Sequence, residues 1–141
     1  SAIARPLESV SSVRVSLIVM TAQRTRLDTI ASNIANINSS VGPDGKTPYK
    51  RLFTVFQTAA TADGGIGVKV SKIGQDNQTP FPEKFEPGSP LADARGYVKY
   101  PNVDLSTEMV NALEATRAYE ANITAIETTK SMINSTLRLL A

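Results

Sequence analysis

The chain has 141 residues, a length that suits one domain. It has no cysteine, no histidine and no tryptophan, which excludes disulfides, thiolate metal sites and cysteine nucleophiles and removes the commonest general base and metal ligand. With 15 Lys and Arg against 13 Asp and Glu, the net charge is only +2, too small an excess for a nucleic-acid footprint.

Helix breakers divide the chain. All 8 glycines lie between Gly42 and Gly96, and 7 of the 8 prolines lie between Pro43 and Pro101. The division predicts an N-terminal helical segment over 1–41, a β and loop insert over 42–101 and a C-terminal helical segment over 102–141. The uncharged run Val15–Gln23 is far too short to span a bilayer. No signal-peptide pattern is clear, so if the chain leaves the cytoplasm it is expected to do so without an obvious cleaved signal.

The first helix is expected from about Pro6 to Asn38, with Pro6 tolerated in the first turn and Glu8 at the positive end of the dipole. Val10, Val13, Leu17, Met20, Arg24, Leu27, Ala31 and Ile34 recur at alternating spacings of three and four, which predicts an amphipathic seam. Asn38-Ser39-Ser40 and Gly42-Pro43-Asp44-Gly45 then stop the helix.

In the insert, Tyr49–Phe56 is a strand candidate. Ile66–Ile73 alternates apolar and polar residues, which predicts a strand with one buried face. Pro80, Pro82, Pro87 and Pro90 forbid helix and central strand, leaving an extended arm or loop.

The last helix is expected from about Asp104, its N-cap, to Ala141, with Glu108 in the first turn and Arg138 near the end. Met109, Ala112, Thr116, Tyr119, Ile123, Ile126, Lys130, Ile133, Leu137 and Leu140 form its seam. At the rise of an α-helix it would be roughly 57 Å long.

Chemistry-bearing constellations do not emerge. Gly42–Thr47 ends like a phosphate-binding loop but has Ser40 where the first glycine is needed. Asp63, Asp76, Glu83, Glu86 and Asp93 lack the alternating spacing of a calcium loop and are expected to be solvated. Lys46, Lys50, Arg51, Lys69 and Lys72 would make a modest basic patch if the two strands are adjacent. No enzyme activity, cofactor, metal, nucleic acid or small-molecule ligand is expected.

The fold expected is therefore mainly α. The two long terminal helices form an antiparallel coiled-coil-like pair, with the small β and loop insert at its far end. Both helices also carry apolar residues off the seam, among them Val15, Ile18, Ala22 and Ile30 on the first and Val110, Leu113 and Leu139 on the last. A second apolar face needs a second neighbour, and no third long helix exists in the chain. The neighbour is expected to be another chain. Leu27, Ile30 and Ile34 on the first helix are expected opposite Ile123, Ile126, Ile133 and Leu137 on the last, with Met109 and Tyr119 completing the subunit-packing set.

Leu27-Asp28-Thr29-Ile30-Ala31-Ser32-Asn33-Ile34-Ala35-Asn36-Ile37-Asn38 resembles the N-terminal signature of bacterial flagellar axial proteins, the rod and hook class. Gly96-Tyr97-Val98-Lys99-Tyr100-Pro101-Asn102-Val103-Asp104, then Glu108-Met109 and Glu114–Asn122, resembles the FlgC family of proximal-rod proteins within that class. The motif residues are Asn33, Asn36, Asn38, Gly96, Tyr97, Pro101, Asn102, Asp104, Arg117, Tyr119 and Asn122. Ser89 departs from the histidine that the family usually has there.

The resemblance implies a structural subunit of the flagellar basal body that stacks helically in the periplasm-spanning rod and transmits torque from rotor to hook. It implies as partners copies of the chain itself, the other rod proteins, the base (MS) ring and the type III export apparatus. A second reading of the same helices is a soluble adaptor or export chaperone that binds a partner helix in a groove. A chaperone would be stably folded alone, whereas a rod subunit would have loose ends until assembled.

Overall fold

The structure, a computed structural model, describes residues 4–42, 44–62 and 64–140, with side chains described from Val10 onward. The Glu8 side chain, Pro43 and Asp63 lie outside the described residues. Helix α1 (Ala4–Ala35) leads into a hairpin of β1 (Leu52–Ala60) and β2 (Ile66–Gln75). A second, shorter pair, β3 (Glu83–Phe85) and β4 (Tyr97–Lys99), precedes helix α2 (Leu105–Leu140).

Pro6 falls in the first turn of α1, where a missing N–H costs nothing; Glu8 falls beyond that turn, so it does not sit at the dipole's end as expected. The helix stops short of Asn38. The Asn36 amide donates to the Ser32 carbonyl at 2.8 Å and its oxygen accepts from Ser39 Oγ at 3.1 Å, a side-chain alternative to the helical ladder. At the start of α2, Asp104 is the cap: Oδ1 accepts from the Ser106 amide at 3.3 Å and Oδ2 from Thr107 Oγ1 at 2.8 Å.

The two helices pack against each other. Asn33 meets Glu108 and Arg26 meets Glu114, so rising numbers on α1 match falling numbers on α2 and the pair is antiparallel. This places Leu27, Ile30 and Ile34 beside the first turns of α2. They do not face Ile123, Ile126, Ile133 and Leu137, because an antiparallel partner of that stretch comes from the start of α1.

The contact face overlaps the apolar seam expected only in part, at Val13, Met20, Leu27 and Ile34 on α1 and Ala112, Tyr119, Ile123, Ile126 and Ile133 on α2. On α2 the covered positions include Glu108, Ala112, Ala115, Tyr119, Asn122, Ile126, Thr129, Ile133 and Thr136, in alternating steps of four and three. Met109, Thr116 and Leu137 are exposed, Met109 and Leu137 by 60% and 59%. On α1, Val10, Leu17, Arg24 and Ala31 are exposed, while Ala22, Thr29, Ile30 and Asn33 are buried. Small and polar side chains let the backbones approach closely near the junction, and some of the bulkier apolar residues, Leu17, Met109 and Leu113 among them, are left exposed.

The hairpin does not sit at the far end of the pair. It lies back along α1, with a Cβ at Gly67 coming within 3.3 Å of Ile18 and one at Gly65 within 2.8 Å of Val15. The off-seam face of α1 thus finds its neighbour within the same chain. For α2, Val110, Leu113, Met132 and Leu139 of the second face are exposed, while Ala115, also expected there, is fully buried.

Strands β1 and β2 pair antiparallel from Leu52↔Gln75 to Ala60↔Ile66, with an irregularity between Val55 and Phe56. Alternation along β2 puts Gly67 against α1 and turns Ile66 outward, 72% exposed. Val68 and Val70 are half-buried while Lys69 and Ser71 are exposed, so the buried face expected is covered only in its middle, with Ile66 and Ile73 exposed at its ends. The Pro-rich stretch is not wholly irregular either. Three residues of β3 pair with three of β4 between prolines, and Phe85 meets Tyr97 edge-on with centroids 5.3 Å apart.

Candidate functional site

The most strongly organised part of the molecule is a polar junction where α1, the root of the hairpin and the first turn of α2 meet. Glu108 is the only charged residue among the buried side chains described, and it is fully inaccessible. Its Oε1 accepts from Arg51 Nε, and its Oε2 accepts from Asn33 Nδ2 at 3.2 Å. A buried carboxylate persists only with partners of this kind.

Asn33, fully buried on α1, also holds β1 as a strand partner would. Its Nδ2 donates to the Leu52 carbonyl and its Oδ1 accepts from the Leu52 amide, both at 2.8 Å. The same oxygen accepts from the Tyr49 hydroxyl at 2.9 Å. Every hydrogen-bonding atom of this side chain is thus engaged, which explains why an amide and not a carboxylate or an apolar group stands here.

Asn102, just before α2, repeats the device from the other side. Its Oδ1 accepts from the Arg51 amide at 2.8 Å, and its Nδ2 donates to the carbonyls of Asp76 and Thr79 at 3.0 Å each. Asp76 closes the turn after β2 by accepting from Thr79 and Gln78. The Thr79 hydroxyl, then the backbone amides and the Arg51 charge, hold its carboxyl below the usual range.

Of the expected subunit-packing residues, Ile30 is buried. Leu27, Ile34, Tyr119, Ile123, Ile126 and Ile133 are half-buried, and Met109 and Leu137 point outward. Among the motif residues, Asn33, Pro101 and Asn102 are buried and Asp104 caps α2. Asn36 ends α1, and Asn122 donates to the Ala118 carbonyl at 2.8 Å. Gly96 takes φ +84°, and a Cβ there would come within 2.9 Å of the Phe85 ring. Tyr97 meets that ring edge-on, while Asn38 and Arg117 are exposed.

Sequence reasoning missed the roles of Glu108 and Arg51. Glu108 read as a helix-dipole charge and Arg51 as part of a basic patch. Arg51 is withdrawn from that patch by Glu108, and Lys50 donates to Asn77 Oδ1 at 2.8 Å. The loop carboxylates are also less idle than expected. Asp93 accepts from the amides of Arg95 and Tyr97, and the Tyr97 amide leads in holding its carboxyl low. No group of acidic residues suited to a metal ion occurs among the described residues.

Two long terminal helices joined by a polar clamp, with apolar stripes facing outward, define a structural subunit built for packing against neighbours. Two family models match the chain: "Flagella basal body rod protein" over residues 19–43 and "Flagellar basal body rod FlgEFG protein C-terminal" over residues 94–139. The chain is 50% identical over 121 residues to the flagellar basal-body rod protein FlgC of Salmonella typhimurium, covering 85% of this chain and 89% of the relative. It is 40% identical over 148 residues to FlgC of Borreliella burgdorferi, covering 92% and 96%. FlgC of Bacillus subtilis is 38% identical over 144 residues, covering 91% and 95%. The chain belongs to the FlgC family of flagellar basal-body rod proteins. It is a structural subunit of the rod, not an enzyme, and this kinship replaces the adaptor or chaperone reading.

Proposed function

We propose that the chain stacks helically with copies of itself and with other rod proteins to form part of a shaft that crosses the periplasm and carries torque from rotor to hook. The observation that supports this most is the uncovered apolar surface of α2, where Met109, Val110, Leu113 and Met132 are each more than half exposed within one chain. Apolar side chains spaced along a helix of this length call for several neighbours.

Within the subunit, the steps of four and three along the covered face of α2 support an antiparallel coiled-coil-like unit. Segments 1–41 and 102–141 would form the axial layer, and the insert 42–101 would lie outside it. The resemblance to the family supports passage through the type III export apparatus without a cleaved signal peptide, and contact with the MS ring at the rod's base.

The test is Met109→Asp in cells that lack the native chain. A charge on this stripe should leave the subunit made but the rod unassembled, with loss of swimming. Normal swimming would contradict the assignment of this face to packing.

A further inference from the structure

We propose that the Glu108–Arg51–Asn33 cluster is a register pin: it fixes the one axial alignment of α1, α2 and the hairpin, rather than supplying net stability. This goes beyond the role of rod subunit and is independent of which neighbours cover the outer stripes.

The rest of the helix seam discriminates poorly between alignments. On α2 the covered positions next to the junction are small, Ala112, Ala115 and Ala118, while α1 brings Ala22 and the bulkier Leu27, Ile30 and Ile34. A slip of one turn, about 5.4 Å, would still lay these α1 side chains on a row of alanines. The smooth apolar surface of α2 therefore discriminates weakly between neighbouring registers.

The cluster breaks that degeneracy. A slip carries the Glu108 carboxylate away from the Asn33 amide while the residue stays buried. Arg51 cannot follow, because its amide is held by Asn102 Oδ1 at 2.8 Å and its carbonyl accepts from the Asp76 amide at 2.8 Å. Asn33 is likewise fixed by its two bonds to Leu52. Every slipped alignment leaves a buried charge without a partner, which is far more costly than losing an apolar contact. A buried polar group that selects register at no gain in stability is a known use of such residues in helix pairs.

The absence of cysteine makes the test direct. Arg26→Cys with Glu114→Cys, bridged by a short bifunctional thiol reagent, reports the native alignment, since the long side chains at these positions reach each other across the seam at 3.3 Å while a direct disulfide would need the Cβ atoms far closer. Arg26→Cys with Val110→Cys, bridged by the same reagent, reports a slip of one turn. Both pairs are placed in the purified full chain, in the double variant Arg51→Met/Glu108→Leu, and in Glu108→Gln, which keeps the shape but removes the charge. Cross-linking in the parent should favour the native pair by at least about tenfold. The double variant should melt no lower than the parent, yet form the slipped cross-link at a yield comparable with the native one. Glu108→Gln should shift the ratio in the same direction. Retention of the parent ratio in both variants would overturn the proposal. So would a double variant that melts well below the parent, since the cluster would then act by stabilising the fold.

Discussion

Asn33 of α1 and Glu108 of α2 are 75 residues apart in sequence and meet at 3.2 Å, both fully buried. One amide nitrogen thereby touches the carboxylate of the second helix and the backbone of β1. Three segments are joined at a single point, and the exposure of the partners around it decides how each substitution should behave.

Removing Arg51 should be worse than removing Glu108. Arg51→Ala leaves a fully buried carboxylate facing only an amide, with an expected loss of about 3–5 kcal/mol. Glu108→Ala leaves a guanidinium that is a quarter exposed and can turn to water, so its cost should be smaller. Urea unfolding of the two variants gives the ordering, and equal midpoints would contradict it.

The outer and inner faces of α2 should respond oppositely to charge. Leu113 is 53% exposed, so Leu113→Asp should change the stability of the free chain by no more than about 0.5 kcal/mol. Ala115 is fully buried against α1, so Ala115→Asp should cost several-fold more, about 2 kcal/mol or above. Thermal melts of the two purified variants separate the faces.

Gly96 should tolerate no side chain. Its φ of +84° disfavours L residues, and a Cβ would press on Phe85 at 2.9 Å and Pro87 at 3.2 Å. Gly96→Ala should cost about 1–2 kcal/mol for the backbone alone and loosen the β3–β4 pair. Gly88→Ala, where nothing lies within 4 Å, is the control and should be near neutral. Amide exchange at Tyr97 and Lys99 reads the local effect.

The turn at 42–47 should loosen only in strong acid. Bonds from the Thr47 side chain, then from the Thr47 and Lys46 amides, lower the Asp44 carboxyl from 3.8 to about 2. A lowered folded-state value means the contribution is fully present above pH 3.8 and is lost as pH falls toward 2. Protection of the Lys46 and Thr47 amides relative to their intrinsic exchange rates should fall over that window, and Asp44→Ala should lack that protection at every pH.

The two helices and their limits were legible because Gly and Pro are confined to the middle of the chain. Asp104 as a cap followed from residue type alone. The face of each helix was legible only in part. Counting apolar residues at helical spacing found Leu27, Ile34, Tyr119, Ile126 and Ile133, which are covered, but also Leu17, Met109 and Leu137, which are exposed. The true seam uses Ala22, Thr29, Asn33, Glu108 and Ala115, which score as small or polar. In a subunit meant for assembly, the largest apolar side chains are divided between its own fold and its neighbours, and hydropathy does not label which is which. Strands β3 and β4 escaped because three residues between prolines carry no periodicity. Glu108 escaped because a first-turn glutamate has an ordinary explanation in the helix dipole.

The central claim is that the outward stripe of α2 is covered by neighbouring subunits in the rod. A single Leu113→Cys in this cysteine-free chain gives the most direct measurement: the rate of thiol labelling in purified basal bodies against that in the free subunit. The account predicts labelling in the assembly slowed at least about tenfold, because packed interfaces exclude reagent as protein interiors do, while Lys69→Cys on the hairpin keeps most of its free-subunit rate. Equal labelling of Leu113→Cys in the two states would contradict it.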